Sequence, residues 1–255
     1  MNIMILDSEG ISLTKPFAYD IGYIICEVRG KQLVEIDRKW LIVEQIFNNT
    51  MLFSTAYYGK KRPRYLQMRK NSIIKTLKAK EVFEEIGKDV EKYDISGIYA
   101  YNKDYDENSL DFTANWFKVV NPLADVPYYD IWAYADIIHD TEIYKGWCVK
   151  NDKVSNANNV MTGAEVTYQY MINDPSFIEQ HTSLEDCEIE KEILQKSLQL
   201  GRVLGIEYQR SNHSVKKQQK MTILRKMKNG TDEWTTFKYS SKRKNQKLNG
   251  FILTE

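Results

Sequence analysis

Asp7 and Glu9 stand two residues apart at the end of an apolar run, in the stretch Ile3-Met4-Ile5-Leu6-Asp7-Ser8-Glu9-Gly10. In an extended chain, side chains at i and i+2 leave the same face, so the two carboxylates project together and Ser8 projects the other way. Like charges this close repel unless something neutralises them. A divalent cation is the usual remedy, and hard oxygen donors suit Mg2+ or Mn2+. Further titratable groups follow. Asp106 closes Asn102-Lys103-Asp104-Tyr105-Asp106, just after the apolar stretch Gly97-Ile98-Tyr99-Ala100-Tyr101, and His181 precedes a helix start with Asp186 five residues on. Taken singly, each has an ordinary explanation. Asp106 suits a helix cap, Asp186 suits the positive end of a helix dipole, and His181 is an unexceptional helix-entry residue.

Together the residues form three motifs: Asp7-Ser8-Glu9, then Asn102-Lys103-Asp104-Tyr105-Asp106, then His181-Thr182-Ser183-Leu184-Glu185-Asp186. In that order the chain resembles the DEDDh 3′–5′ exonucleases, the DnaQ-like branch of the ribonuclease-H-like fold. Phe17-Ala18-Tyr19-Asp20-Ile21-Gly22 also looks like that family, and the resemblance spans roughly residues 1 to 200. It implies that Asp7, Glu9, Asp106 and Asp186 are metal ligands for two Mg2+ or Mn2+ ions. Such a pair clamps the attacking and leaving oxygens of an in-line displacement. It implies that His181 is the general base, with a pKa that nearby carboxylates are expected to raise. The implied reaction is phosphodiester hydrolysis from a 3′ end, releasing nucleoside 5′-monophosphates. Asn102 is expected to order the second-motif turn beside nucleic acid, and Tyr105 to pack in the core. Gly10 stands where the family often has Thr or Ser, which is expected to loosen contacts with the terminal nucleotide. The insert between Asp106 and His181 also departs from the compact family forms.

Periodicity supplies the elements that must position these groups. Strands are expected over 3–7, 20–28 and 33–43, the last after the turn Arg29-Gly30-Lys31, as a β-meander. Residues 44–79 read as mostly helical or irregular. Val82, Phe83, Ile86 and Val90 recur at helical spacing over 80–92. A strand over 97–101 and helices over 106–118, about 130–138 and 163–171 follow. Thr182-Ser183-Leu184-Glu185 fits a capping box, opening a helix that runs to about Leu200 and stops at Gly201. Beyond it, TILRKM and EWTTFKYS flank Asn229-Gly230 and read as a β-hairpin, and 240–247 as a mobile stretch. The expected fold class is α/β, a ribonuclease-H-like mixed sheet flanked by helices. An exonuclease domain would cover 1–204 and a basic extension 205–255.

Charge divides the same way. Residues 210–255 carry 12 Lys or Arg against 3 acidic residues, so an acidic body bears a basic tail. Such tails gain affinity for polyanions by releasing counterions. Tyr57, Tyr58, Lys60, Lys61, Arg62 and Arg64 interleave aromatics with bases, which is how single strands are gripped. The expected partner is single-stranded nucleic acid, DNA before RNA, with frayed 3′ ends as substrates. The extension is a possible dock for a replication protein. An RNA exonuclease of the same fold, an idle binding or docking module, and hydrolysis of a small or cyclic signalling nucleotide are the alternatives. The N-terminus does not read as a secretory signal, and no apolar run reaches the ~18 residues of a membrane span. A cytoplasmic location is expected. Cys26, Cys148 and Cys187 are too few and too scattered for a disulfide framework and are expected as small buried residues. His139-Asp140 and His213 fall outside the motifs and are expected at the surface or in structural roles.

Overall fold

The computed structural model describes residues 1–211 and 213, and the backbone of 219–226, 232–239 and 252–253. Strand β1 (Asn2–Gly10) is followed by β2 (Ala18–Arg29) and β3 (Gln32–Val43). Gly30, at φ +64°, makes the turn between the last two. Short helices α1 (Glu44–Phe47) and α2 (Thr50–Phe53) lead through a 3-10 turn at Gly59–Lys61 into α3 (Arg62–Lys70). Then come β4 (Lys75–Leu77), α4 (Ala79–Tyr93), β5 (Ile95–Ala100), α5 (Lys103–Phe117) and β6 (Tyr128–Asp130). Helices α6 (Ile131–His139), α7 (Glu142–Lys150), α8 (Ala164–Met171) and α9 (Ser183–Gln199) complete the body.

The six strands form one mixed sheet in the order β4-β3-β2-β1-β5-β6. β2 runs antiparallel to β1 and β3, whereas β1, β5 and β6 run parallel, as do β3 and β4. Alternation along β1 sorts its side chains to the two faces. Met4 and Leu6 join Ile21, Tyr23, Val82, Ile86 and Leu110 in the core under α4 and α5. Ile3 and Ile5 join Ile24, Tyr134, Ile193 and Leu194 under α6 and α9. The sheet is thus covered on both sides, and its β1 strand is buried nearly end to end.

The meander, the central strand and the long helices lie where periodicity places them. β4, β6 and α7 have no counterpart in the sequence reading, because two are three-residue strands and the third has a weakly amphipathic pattern. The capping box at Thr182 does not form. Thr182 makes no side-chain cap; its hydroxyl donates instead to the Glu185 carboxylate. The expected hairpin has antiparallel strands β7 (Gln219–Lys226) and β8 (Asp232–Tyr239), with β9 (Ile252–Leu253) on the other side of β7. The Asn229-Gly230 turn and the 240–247 stretch lie outside the described residues. The three cysteines are buried and unpaired. No described helix is long and apolar enough to cross a membrane.

Candidate active site

β5 ends at Ala100, one residue past the pairing of Tyr99 with Ile5, so it leaves β1 just before Asp7 and Glu9; crevices at the carboxyl ends of such parallel strands are where open α/β sheets bind ligands. β1 ends in an irregularity between Glu9 and Gly10, where its register against β2 slips. Past the end of β5, Asn102 takes a left-handed conformation (φ +67°) and opens α5. Asp106 then falls in the first helical turn, where the dipole favours an anion. Its Oδ1 accepts from both the amide and the hydroxyl of Ser8, each at 2.8 Å. Ser8, aimed away from Asp7 and Glu9, therefore holds the third acid in place.

The fourth acid comes from α9, and two residues bring that helix in. Gly22 on β2 has no side chain, and a Cβ there would lie 2.3 Å from the Leu184 amide nitrogen. Asp20, fully buried, accepts from the Ser183 amide (3.1 Å) and hydroxyl (2.5 Å), from Trp40 (2.7 Å) and from Tyr65 (2.6 Å). One carboxylate thus satisfies an orphan amide of the helix start and ties β2, β3, α3 and α9 together. Asp186 follows in the first turn.

The result brings Glu9, His181 and Asp186 together, with ligand atoms within 4.8 Å of one another. Asp7 and Asp106 are close enough to act on the same charges. Burial first, then Asp106, Glu190, Asp186 and Glu9, push the Asp7 carboxyl far above its usual range. Burial and Asp186 push Glu9 up to about 10. Burial and Glu179 push Asp186 up to about 9. Burial pushes Asp106 up to about 7 against the lowering effect of the Ser8 bonds. Each rise comes first from burial, which disfavours the ionised form, and Lys61 offsets part of it at Glu9 and Asp186. Asp7 Oδ2 and Asp186 Oδ1 are also enclosed without a hydrogen-bond partner among the described residues. An all-acid set with orphaned oxygens fits a hard divalent cation, and the cluster could hold one.

His181 sits on the loop before α9 at φ +51°, half-buried. Its ring stacks on Tyr58 (4.5 Å, 15°), and Nδ1 lies 3.5 Å from Glu179. Its pKa is lowered, by burial and then by Lys61, so the expected rise from nearby carboxylates does not occur. Burial outweighs the raising effect of Glu165, and Lys61 points its ammonium at the Gln180 and His181 carbonyls.

The aromatic and basic loop is mostly committed to the body. Tyr58 packs on His181. Arg62 lies over the Phe47 and Phe53 rings at 5.7 and 5.8 Å. Arg64 grips both oxygens of Glu185 (2.6 and 2.7 Å) and Gln180. Tyr57, at 82% exposure, and Lys60 remain open to solvent. Asn102 is exposed, but its side-chain oxygen accepts from Arg210 at 2.9 Å. Tyr105 is half-buried rather than in the core, and a Cβ on Gly10 would lie 2.3 Å from its hydroxyl, so Gly10 makes room for Tyr105.

The three motifs leave out Glu179 and Glu190, and Asp20 stands in the family-like stretch 17–22 without a role. Glu190 is buried (3% exposed), faces Asp7, Asp106 and Asp186 by charge, and has its own pKa pushed well up by burial. Its spacing of four from Asp186 puts both on one helix face, a signal the sequence carries. Of the two placements expected for His139 and His213, surface or structural, the surface one does not hold: both are buried and both face Asp136. No family model matches the chain, and no curated protein matches it.

Proposed function

We propose that the chain is a metal-dependent 3′–5′ exonuclease with a ribonuclease-H-like fold and a DEDDh site, acting on single-stranded DNA or frayed 3′ ends. The observation that carries this reading is the convergence of Asp7, Glu9, Asp106, His181 and Asp186 from three distant motifs, with two carboxylate oxygens enclosed and unpartnered. The strand order, with β2 the one antiparallel strand of the sheet, supports the fold. The 3′–5′ direction rests on the motif resemblance.

Asp7, Glu9, Asp106 and Asp186 would hold Mg2+ or Mn2+. When bound, such ions supply Lewis-acid activation of water and charge stabilisation at the leaving oxygen. Ser8 keeps one Asp106 oxygen occupied, so Asp106 offers its other oxygen. Asp20 and Gly22 seat α9, and with it Asp186, against β2. His181 is biased to the neutral imidazole by burial and Lys61, the form that can take a proton from water. Tyr58 stacks on its ring and holds it over the site, and Lys61 adds positive charge where a phosphate would approach.

The internal commitments of Lys61, Arg62 and Arg64 favour a second reading. A short or cyclic oligonucleotide, gripped near its scissile end only, needs no long basic groove. Incubation of the full chain with 5′-labelled DNA and RNA of equal sequence, and with a dinucleotide, in Mg2+, Mn2+ or chelator, tests both. A ladder shrinking from the 3′ end, absent in chelator and in an Asp7→Ala, Asp186→Ala variant, is expected. Cleavage of the dinucleotide alone would replace the polymer reading with the second one. Binding without metal-dependent cleavage would reduce the protein to a docking module.

A further inference from the structure

A second donor cluster shares no residue with the candidate active site. Asp136 and His139 sit one turn apart on α6, and His213 reaches them from the segment that leads into the basic extension. The three are 1%, 0% and 6% exposed, and their ligand atoms lie within 4.8 Å of one another. Asp136 Oδ1 is 3.3 Å from His139 Nδ1 and 2.6 Å from His213 Nε2.

The outer nitrogens restrict what can lie between these groups. His139 Nε2 is 2.9 Å from Thr167 Oγ1, whose one proton is donated to the Gly163 carbonyl. Thr167 therefore accepts, and the His139 proton belongs on Nε2. His213 Nδ1 is 3.1 Å from Asp140 Oδ1, at an angle that closes no hydrogen bond. That contact does not fix the His213 tautomer. The inner nitrogen of His139 then turns a lone pair toward the Asp136 carboxylate, and His213 Nε2 faces the same oxygen. One cation satisfies both nitrogens and the carboxylate together. Metal-binding histidines have this same arrangement, with the second ring nitrogen donating to an oxygen that fixes the tautomer. Two imidazoles and a carboxylate suit zinc better than Mg2+.

We infer that Asp136, His139 and His213 bind one divalent ion of the zinc class, which staples the root of the basic extension to α6. The neighbouring contacts fit that role. The Ser211 amide donates to Asp136 Oδ2, and the Val160 amide to the His213 carbonyl at 3.1 Å. Asp140, largely exposed beside His213, gives the ion a way in from solvent.

The test uses the full chain with Asp7→Asn and Asp186→Asn, so that the candidate active site contributes little. The protein is loaded with zinc chloride, dialysed against buffer containing excess Mg2+, and its zinc counted by mass spectrometry. One equivalent is expected, lost in His139→Ala and in His213→Ala. Thr167→Val should weaken zinc affinity on the order of 10- to 100-fold, the usual effect of removing an outer-shell partner. The chain has 3 histidines, so long-range proton–nitrogen NMR gives a readout in the background protein without touching the cluster. Zinc should move the His139 Nδ1 and His213 Nε2 resonances and leave those of His181 in place. Unmoved resonances, no retained zinc, or retention indifferent to both alanine variants would each overturn the inference.

Discussion

Five acids in one buried place, Asp7, Glu9, Asp106, Asp186 and Glu190, make the free protein sensitive to pH. Glu9 is pushed to about 10, Asp186 to about 9 and Asp106 to about 7. A carboxyl raised in this way binds more protons folded than unfolded. Its stabilising contribution is whole below the unfolded value and is lost as pH rises through the folded one. In chelator, the melting temperature should therefore fall steadily from about pH 5 to about pH 9. Glu85 is lowered to about 2 and acts with the opposite sign, but only in more acid solution. Millimolar Mn2+ should flatten the slope, and a thermal melt series with and without metal checks both statements. Asp186→Asn removes a group that must take up a proton to be buried at pH 8. It should raise the melting temperature in chelator at pH 8 while abolishing metal-dependent cleavage. His181→Ala should keep the fold and lose roughly 10²–10⁴-fold in cleavage rate, the usual worth of a general base. A smaller loss would remove His181 from the proton-transfer role.

At the scale of elements, two glycines and one aspartate set the site's geometry. Gly22→Ala drives a methyl into the backbone of α9 at Leu184, and backbone cannot step aside as a side chain can. About 1–3 kcal/mol of destabilisation is expected from the overpacking, with weaker metal binding as Asp186 shifts. Gly10→Ala meets the Tyr105 hydroxyl instead, the tip of a side chain. Pairing it with Tyr105→Phe should recover part of the loss, and a double-mutant cycle from denaturant unfolding measures that coupling. The strands and long helices are legible because their apolar periods are long. The packing of α9 is not, because it depends on Asp20, and Asp20 looks like any polar residue at a strand start. The capping box fails for the same reason. Asp20 satisfies the Ser183 amide from 163 residues away, and Arg64 takes Glu185 across a gap of 121.

For the whole molecule, the expected boundary at residue 204 cuts through packed structure. Gly205 donates its amide to Tyr99 at 2.8 Å, and the Tyr134 hydroxyl faces the carbonyls of Val203 and Ile206. Arg210 lies over the Trp132 ring, binds Asp130 and reaches Asn102, the left-handed residue that opens α5. The root of the basic extension is thus braced against the turn that positions Asp106. Deleting 214–255 should leave the body folded and make single-strand binding less salt-dependent, because most of the 12 basic residues counted from 210 onward are lost. Deleting from 202 onward should lower the melting temperature as well. Binding isotherms at several salt concentrations, read beside thermal melts, separate the two effects.

The sequence by itself determined the elements with long apolar periods and the identities and order of the acids. Local chemistry suffices there: alternation buries β1, and a helix start favours Asp106 and Asp186. Only the tertiary structure decided which groups meet. Lys61, Arg62 and Arg64 read as a nucleic-acid grip along the chain, and the fold adds contacts of theirs to the His181 carbonyl, the Phe47 ring and Glu185. Glu190 joins the acids, and His213 finds Asp136, across separations that no local pattern encodes. The physical reason is that burial and charge coupling depend on distance in space, and a sequence gives distance only along the chain.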